Sequence, residues 1–176
     1  MNYKSILTKT LSSNNCPNLI LYGNHTIDKY SILNEYLLKI DSSQIITITK
    51  YDISYLSNNT YKIFNMNTIK KNKINSFFTI INEIIKCKNY YNKHDRIILL
   101  TNFNNISHQV QNRFRVIFEK YRDTTIFILI TNHLTAIINP LQSRFLCIRI
   151  NDSQRIKKRQ KSRPFLTDLS YHKRSI

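Results

Sequence analysis

Hydrophobic positions along the chain fall into two patterns. Short, largely apolar runs recur at Asn18 to Tyr22, Arg96 to Leu100, Thr125 to Thr131 and Leu146 to Ile150. Each is five to seven residues long, which reads as a buried strand. Between them lie stretches whose apolar residues recur at helical spacing: Ile32, Leu33, Tyr36 and Leu37; Ile74, Phe77, Phe78, Ile81, Ile84 and Ile85; Val110, Phe114, Ile117, Phe118 and Tyr121. Those spacings predict amphipathic helices. The first of these helices starts near Asp28, where a carboxylate suits the helix dipole. Gln44 to Thr49 and Tyr61 to Asn65 are rich in β-branched and aromatic residues and read as two further strands, with polar Ser57 to Thr60 as a loop between them. Ile137 and Ile138 belong to a short helical turn, and Pro140 starts a new turn.

Strands alternating with helices predict an α/β fold with a mainly parallel, five-stranded sheet, covered on both faces as a three-layer sandwich. In such a sheet ligands sit at the carboxyl ends of the strands. Here those ends are Gly23, Thr101 and Asn132, which are expected side by side.

Composition narrows the classes. Of 176 residues, 41% are hydrophobic, which is enough for a packed core and too many for a disordered chain. There is one glycine, Gly23, and the net charge is +17. The charge makes a polyanion, nucleic acid before others, the expected partner. No apolar run is long enough to span a bilayer, and Met1 to Leu11 lacks an apolar core of signal-peptide length, so an intracellular protein is expected. Cys16, Cys87 and Cys147 lie far apart and read as reduced thiols, and the five histidines form no ligand pair, so no metal site is expected. The final stretch, 151–176, changes character. It carries eight Lys or Arg against Asp152 and Asp168 and reads as a basic arm.

The segment Leu21-Tyr-Gly-Asn-His-Thr-Ile-Asp-Lys-Tyr30 has the placement of a phosphate-binding loop: strand, turn, lysine, helix. The working motif is G-x-x-x-x-G-K-[ST], whose glycines let backbone N–H groups close around phosphates. Gly23 and Lys29 keep the spacing. Asp28 stands in place of the second glycine and Tyr30 in place of the metal-binding hydroxyl. An ordinary strand-to-helix turn with a surface lysine is the competing reading. A second candidate, Ile97 to Asn104, ends in Thr101, Asn102 and Asn104, where an ATPase would carry acidic residues. Neutral amides cannot act as a general base, so a nucleotide site of this kind would not hydrolyse ATP.

From Arg96 to Ile150 the chain resembles the small subunits of replication factor C, the sliding-clamp loader of the AAA+ ATPases. The family reads close to a strand, then D-A-Q-N-A-L-R-R-x-M-E-K-Y, then a strand ending in C-N, then I-x-P-L-Q-S-R-C. This chain has Gln109-Val-Gln-Asn-Arg-Phe-Arg-Val-Ile-Phe-Glu-Lys-Tyr121, Phe127-Ile-Leu-Ile-Thr-Asn132 and Ile138-Asn-Pro-Leu-Gln-Ser-Arg-Phe145. Pro17-Asn-Leu-Ile-Leu-Tyr-Gly23 matches the run into the family's phosphate loop, and Tyr61 to Asn67 aligns with the strand that ends N-x-S-D. The resemblance covers about residues 16 to 150. Leu100-Thr101 further resembles the one small-subunit type that has Thr at the metal-binding Asp and is a poor ATPase.

The resemblance implies an AAA+ core over 1–150, with 151–176 as a basic extension and the family's lid and collar domains absent. It implies a non-catalytic clamp-loader subunit whose partners are other loader subunits, the sliding clamp and primer–template DNA, and no membrane. It implies a nuclear location, or a replication compartment of viral or endosymbiont origin. Arg144, with Ser143, would reach a neighbour's ATP as an arginine finger in trans, a role that suits the always-charged guanidinium. Tyr22, Gly23, Lys29 and Asn132 would line a degenerate site for ATP or ADP without well-held Mg²⁺. Lys70, Lys71, Lys73, Arg113 and Arg115 would contact the DNA backbone, which needs charge and no base readout. Two other functions stay open on the residues: a stand-alone basic DNA-binding module, and a weak NTPase. The expected geometry places Gly23, Lys29, Thr101 and Asn132 at one end of the sheet, and Arg144 on a different, exposed flank.

Overall fold

The computed structural model of the chain describes residues 3–13, 16–87 and 96–151. The basic stretch beyond Asn151, with its proposed arm, lies outside the described residues, as do His94 and His172. The elements in order are α1 (Tyr3–Leu11), β1 (Leu19–Tyr22), α2 (Lys29–Ile40), β2 (Ile46–Lys50), β3 (Ile53–Ser57), β4 (Tyr61–Asn65), α3 (Ile74–Lys86), β5 (Arg96–Thr101), α4 (His108–Lys120), β6 (Thr125–Thr131), α5 (Asn139–Gln142) and β7 (Leu146–Arg149).

The seven strands form one sheet in the order β2-β3-β4-β5-β6-β1-β7. The five from β4 to β7 pair in parallel, as the alternating pattern predicts. Two more extend one edge as an antiparallel hairpin, β2 with β3, and β3 pairs antiparallel with β4. The expected five-stranded sheet is thus corrected to seven strands: β2, expected as a strand, joins it at the edge, and β3 was not foreseen. The hairpin turn explains why. Tyr51 and Asp52 hold φ of 51° and 59°. A two-residue turn of that kind is normally announced by Asn-Gly or Asp-Gly. The tertiary structure supports it instead: Asp52 pairs with Lys73 at 2.8 Å, the Tyr51 hydroxyl donates to Glu83 at 3.2 Å, and Lys50 pairs with the same Glu83. Another element read only from structure is α1, whose Leu7 is fully buried. The helical turn expected at Ile137 and Ile138 falls earlier, at Leu134–Ala136, and Ile138 instead caps α5.

Strand side chains alternate between two cores, as a strand's period of two requires. Ile20, Ile98, Leu100, Phe127 and Leu129 face the cluster under α3 and α4, which is rich in phenylalanine. Leu19, Leu21, Ile97, Leu99, Ile126, Ile128 and Ile130 face the cluster under α1 and α2. Helices therefore cover both faces of the sheet.

Two polar devices fix the register. Asn18 accepts from the Phe127 N–H at 2.8 Å through its side chain and from the Leu146 N–H at 2.9 Å through its carbonyl, stitching β6 and β7 to the start of β1. On α4, Gln111 is fully buried. Its amide donates to the carbonyls of Ile106 (3.0 Å) and Ala136 (2.8 Å) and accepts from the Ile138 N–H at 2.9 Å. That residue ties α4 to the segment leading into α5.

At the other end of β1, the Ile150 N–H donates to the Tyr22 carbonyl at 2.7 Å, bringing backbone against Gly23. A Cβ on Gly23 would collide with the Ile150 carbonyl oxygen. Gly23→Ala is expected to destabilise the fold by about 1–3 kcal/mol, read from the denaturant midpoint with m unchanged. Gln111→Leu leaves one N–H and two carbonyls without their partner, and a loss of roughly 2–3 kcal/mol is expected in the same measurement.

Candidate functional site

The carboxyl ends of β5, β6 and β1 are neighbours in the sheet, so Thr101, Asn132 and Gly23 come together as the strand pattern predicts. A cleft of about 530 Å³ opens there. Asp28, Lys29, Asn65, Thr101, Asn102 and Asn132 supply its polar groups, and Leu56, Ile63 and Ile130 its apolar wall. Tyr22 is not part of that wall; it packs against the phenylalanine-rich core.

The loop from Gly23 to Asp28 is built the opposite way from a phosphate cradle. Lys29 is only 4% exposed. Its ammonium donates to three backbone carbonyls, Gly23 (3.1 Å), Asn24 (2.9 Å) and Ile27 (3.3 Å). Meanwhile three of the loop's N–H groups are spent internally. Thr26 N–H donates to the Asn24 side chain, Ile27 N–H to the Asn24 carbonyl and Lys29 N–H to the Ile27 carbonyl. A phosphate needs converging N–H groups, and here converging carbonyls meet a lysine. Burial holds the Lys29 ammonium below its ordinary range.

Asp28 completes the inversion. It is the N-cap of α2, its carboxylate accepting from the Ser31 N–H at 3.1 Å and from the Ser31 hydroxyl at 2.6 Å. The Ser31 hydroxyl is the main reason the carboxyl sits below its usual range. The place where a helix N-terminus would receive an anion is thus filled by the chain's own carboxylate. Tyr30 is half-buried, and burial raises its phenol's pKa.

Across the cleft, amides replace carboxylates. Asn102 adopts left-handed φ of 56° and donates to the Asn65 side chain at 2.9 Å, linking the ends of β5 and β4. Asn104 donates to Asn105 at 2.6 Å, and Asn105 donates to Asn67. The Thr101 hydroxyl is turned away to the Phe64 carbonyl at 3.3 Å. Among the described residues no group of three or more His, Cys, Asp or Glu gathers to hold a metal ion.

Arg144 lies at the opposite end of the sheet. It precedes β7, whose Leu146 is level with Leu19 at the start of β1. One strand of four residues, ~13 Å by its rise, therefore separates it from the cleft end. Its side chain is 48% exposed. The turn Pro140 to Ser143 carries it, and Arg144 Nη1 donates to the Pro140 carbonyl at 2.8 Å. Its Nε pairs with Glu119 at 2.8 Å.

The five basic residues read as DNA contacts differ in their surroundings. Lys70 and Lys71 are exposed and make no side-chain hydrogen bond or ion pair among the described residues. Lys73 pairs with Asp52, and Arg113 donates to Asn75 at 2.9 Å and lies over the Phe78 ring. Arg115 is drawn toward Glu119. The sequence reading missed the carbonyl cage, the amide links, Gln111 and Glu119. A signal existed for the cap alone, since Asp ahead of a helical run is a start signal.

No family model matches the chain. Among curated proteins, it is 26% identical over 148 residues to replication factor C small subunit 2 of Pyrobaculum islandicum, covering 84% of this chain and 42% of that protein. It is 28% identical over 141 residues to replication factor C subunit 2 of Schizosaccharomyces pombe, covering 79% and 39%. The chain is related to the replication factor C subunits. It spans about two-fifths of the length of these relatives. Among solved structures, a DNA polymerase III gamma subunit-related protein of Thermotoga maritima superposes with a TM-score of 0.56 at 9% identity, over 90% of this chain and 48% of that one. A RuvB variant of the same organism gives 0.56 at 13% identity, over 85% and 44%. These two share the fold of the chain. No helix among the described residues is long and apolar enough to cross a membrane.

Two outcomes test the cleft. Lys29→Ala orphans its carbonyls and is expected to lower stability by about 1–3 kcal/mol in denaturant unfolding, where a solvent-facing lysine would cost almost nothing. Asp28→Ala is expected to cost ~1 kcal/mol at neutral pH. Because the folded carboxyl is more acidic than its ordinary 3.8, that contribution is present above pH 3.8. It is lost as pH falls through the folded value, so wild type and variant should converge in acid-side unfolding curves.

Proposed function

We propose that this chain is a non-hydrolysing subunit of a replication factor C-like clamp loader, supporting ATP-driven loading of a sliding clamp on primer–template DNA. The observation that carries the reading is the contrast between the two ends of β1. The cleft is lined by a lysine caged by the chain's own carbonyls and a carboxylate that caps α2, and lacks an acidic pair, while Arg144 stands exposed at the opposite end of the strand. In this reading the subunit supplies chemistry outward. Arg144 would meet the terminal phosphate of ATP bound by the adjacent subunit and stabilise charge as the bond to the leaving group breaks. Ser143, whose hydroxyl bonds the Pro140 carbonyl at 3.2 Å, would hold the turn that presents it.

The partners in this reading are other loader subunits, the clamp and DNA, and the place of work is the nucleus or a comparable replication compartment. The free ammonium groups of Lys70 and Lys71, ahead of α3, are the best-placed groups for DNA phosphates, supported by the net charge of +17. A weak NTPase is disfavoured, since ATP would have to displace the Lys29 cage and the Asp28 cap. The exposed lysines would serve a stand-alone DNA-binding module equally well, and assembly separates the two.

In a complex reconstituted with the remaining loader subunits, Arg144→Ala is expected to lower steady-state ATP turnover about 10³-fold at the site it serves, with assembly intact by size-exclusion chromatography. Unchanged turnover in an assembled complex removes the finger role, and failure of the wild type to assemble favours the stand-alone module. Lys70→Glu and Lys71→Glu are each expected to weaken duplex binding regardless of sequence and to reduce the salt slope by about one.

A further inference from the structure

The Arg144 flank holds a carboxylate that the proposed function does not use. Glu119, near the end of α4, forms one wall of a second cavity of about 680 Å³, with Asn18, Arg122 and Arg144 among its other polar walls. Its Oε1 forms an ion pair with Arg144 Nε at 2.8 Å. One turn earlier on the same helix, Arg115 brings its own Nε to within 3.9 Å of that oxygen. This second Nε is buried and makes no hydrogen bond. A guanidinium N–H shut away from water without an acceptor is costly, so the arrangement leaves Arg115 waiting for a partner.

We propose that Glu119 is a positioning residue for Arg144, and that its carboxylate passes to Arg115 when Arg144 is drawn onto an anion. The proposal rests on the reading of Arg144 as a trans-acting finger. The ion pair to Glu119 and the bond to the Pro140 carbonyl hold the guanidinium in one orientation at the wall of the cavity. A phosphate arriving there competes for the guanidinium. Loss of Arg144 would ordinarily strand a carboxylate, but Arg115 lies on the same helix at the i,i+4 spacing that favours an ion pair. The charge released on one side is therefore taken up on the other, and Arg144 is freed without leaving Glu119 unpaired.

Two measurements test this separately. In the isolated full-length chain, hydrogen exchange of the arginine Nε–H groups is followed by NMR. Arg144→Ala is expected to slow exchange at Arg115 severalfold, and adding Glu119→Gln to abolish the slowing. Equal exchange at Arg115 in wild type and Arg144→Ala overturns the handover, whatever Arg144 does in a complex. In the assembled loader, Glu119→Gln is expected to lower turnover at the served site about tenfold with KM for ATP unchanged, and to add nothing to Arg144→Ala. A change confined to KM, or losses that multiply in the double variant, overturns the positioning role. Should Arg144→Ala leave turnover untouched, the finger reading fails by itself, and exchange at Arg115 still decides whether Glu119 changes partner.

Discussion

The register of β1 between β6 and β7 is the constraint on which the rest of the molecule depends. At its start, Asn18 bonds both neighbours. At its end, the Tyr22 carbonyl takes the Ile150 N–H, and Gly23 leaves room for that close approach. Four buried or half-buried residues between these points face two different cores. The strand thereby sets the distance between the cleft at its carboxyl end and the Arg144 turn at its amino end. A slip of one residue would exchange the faces of every side chain and move both ends at once.

The two ends show how the same placement of elements can carry opposite chemistry. A phosphate loop works because glycine lets N–H groups turn inward. This chain has one glycine, and close packing against β7 claims it. With Asp28 where a second glycine would stand, the carboxylate caps α2 and the intervening carbonyls turn toward Lys29. Position in the fold is retained while the sign of the local field is reversed. On the far flank the polarity is kept: an exposed guanidinium, steadied by Glu119 and the Pro140 carbonyl, faces outward.

Much of this was legible in the chain of residues itself. The apolar runs pointed to four of the five parallel strands, because a strand buried on both faces is apolar nearly throughout, and the β-branched and aromatic run Tyr61 to Asn65 pointed to the fifth. The spacing from Gly23 to Lys29 placed both at the carboxyl edge, and the resemblance of the Pro140 to Arg144 run to the replication factor C small subunits put the arginine on a different flank. Local pattern could not reveal β3, whose turn lacks the expected residues and is held by Lys73 and Glu83 from distant parts of the chain. Nor could it reveal that Lys29 is buried, that Gln111 ties three separate backbone groups, or that Glu119 stands between two arginines. Periodicity is a property of neighbours along the chain, so sequence alone determined the strands, the helices and their order. Which way a carbonyl turns, and which charge meets which, depends on groups brought together from far along the chain, and only the folded arrangement decides it.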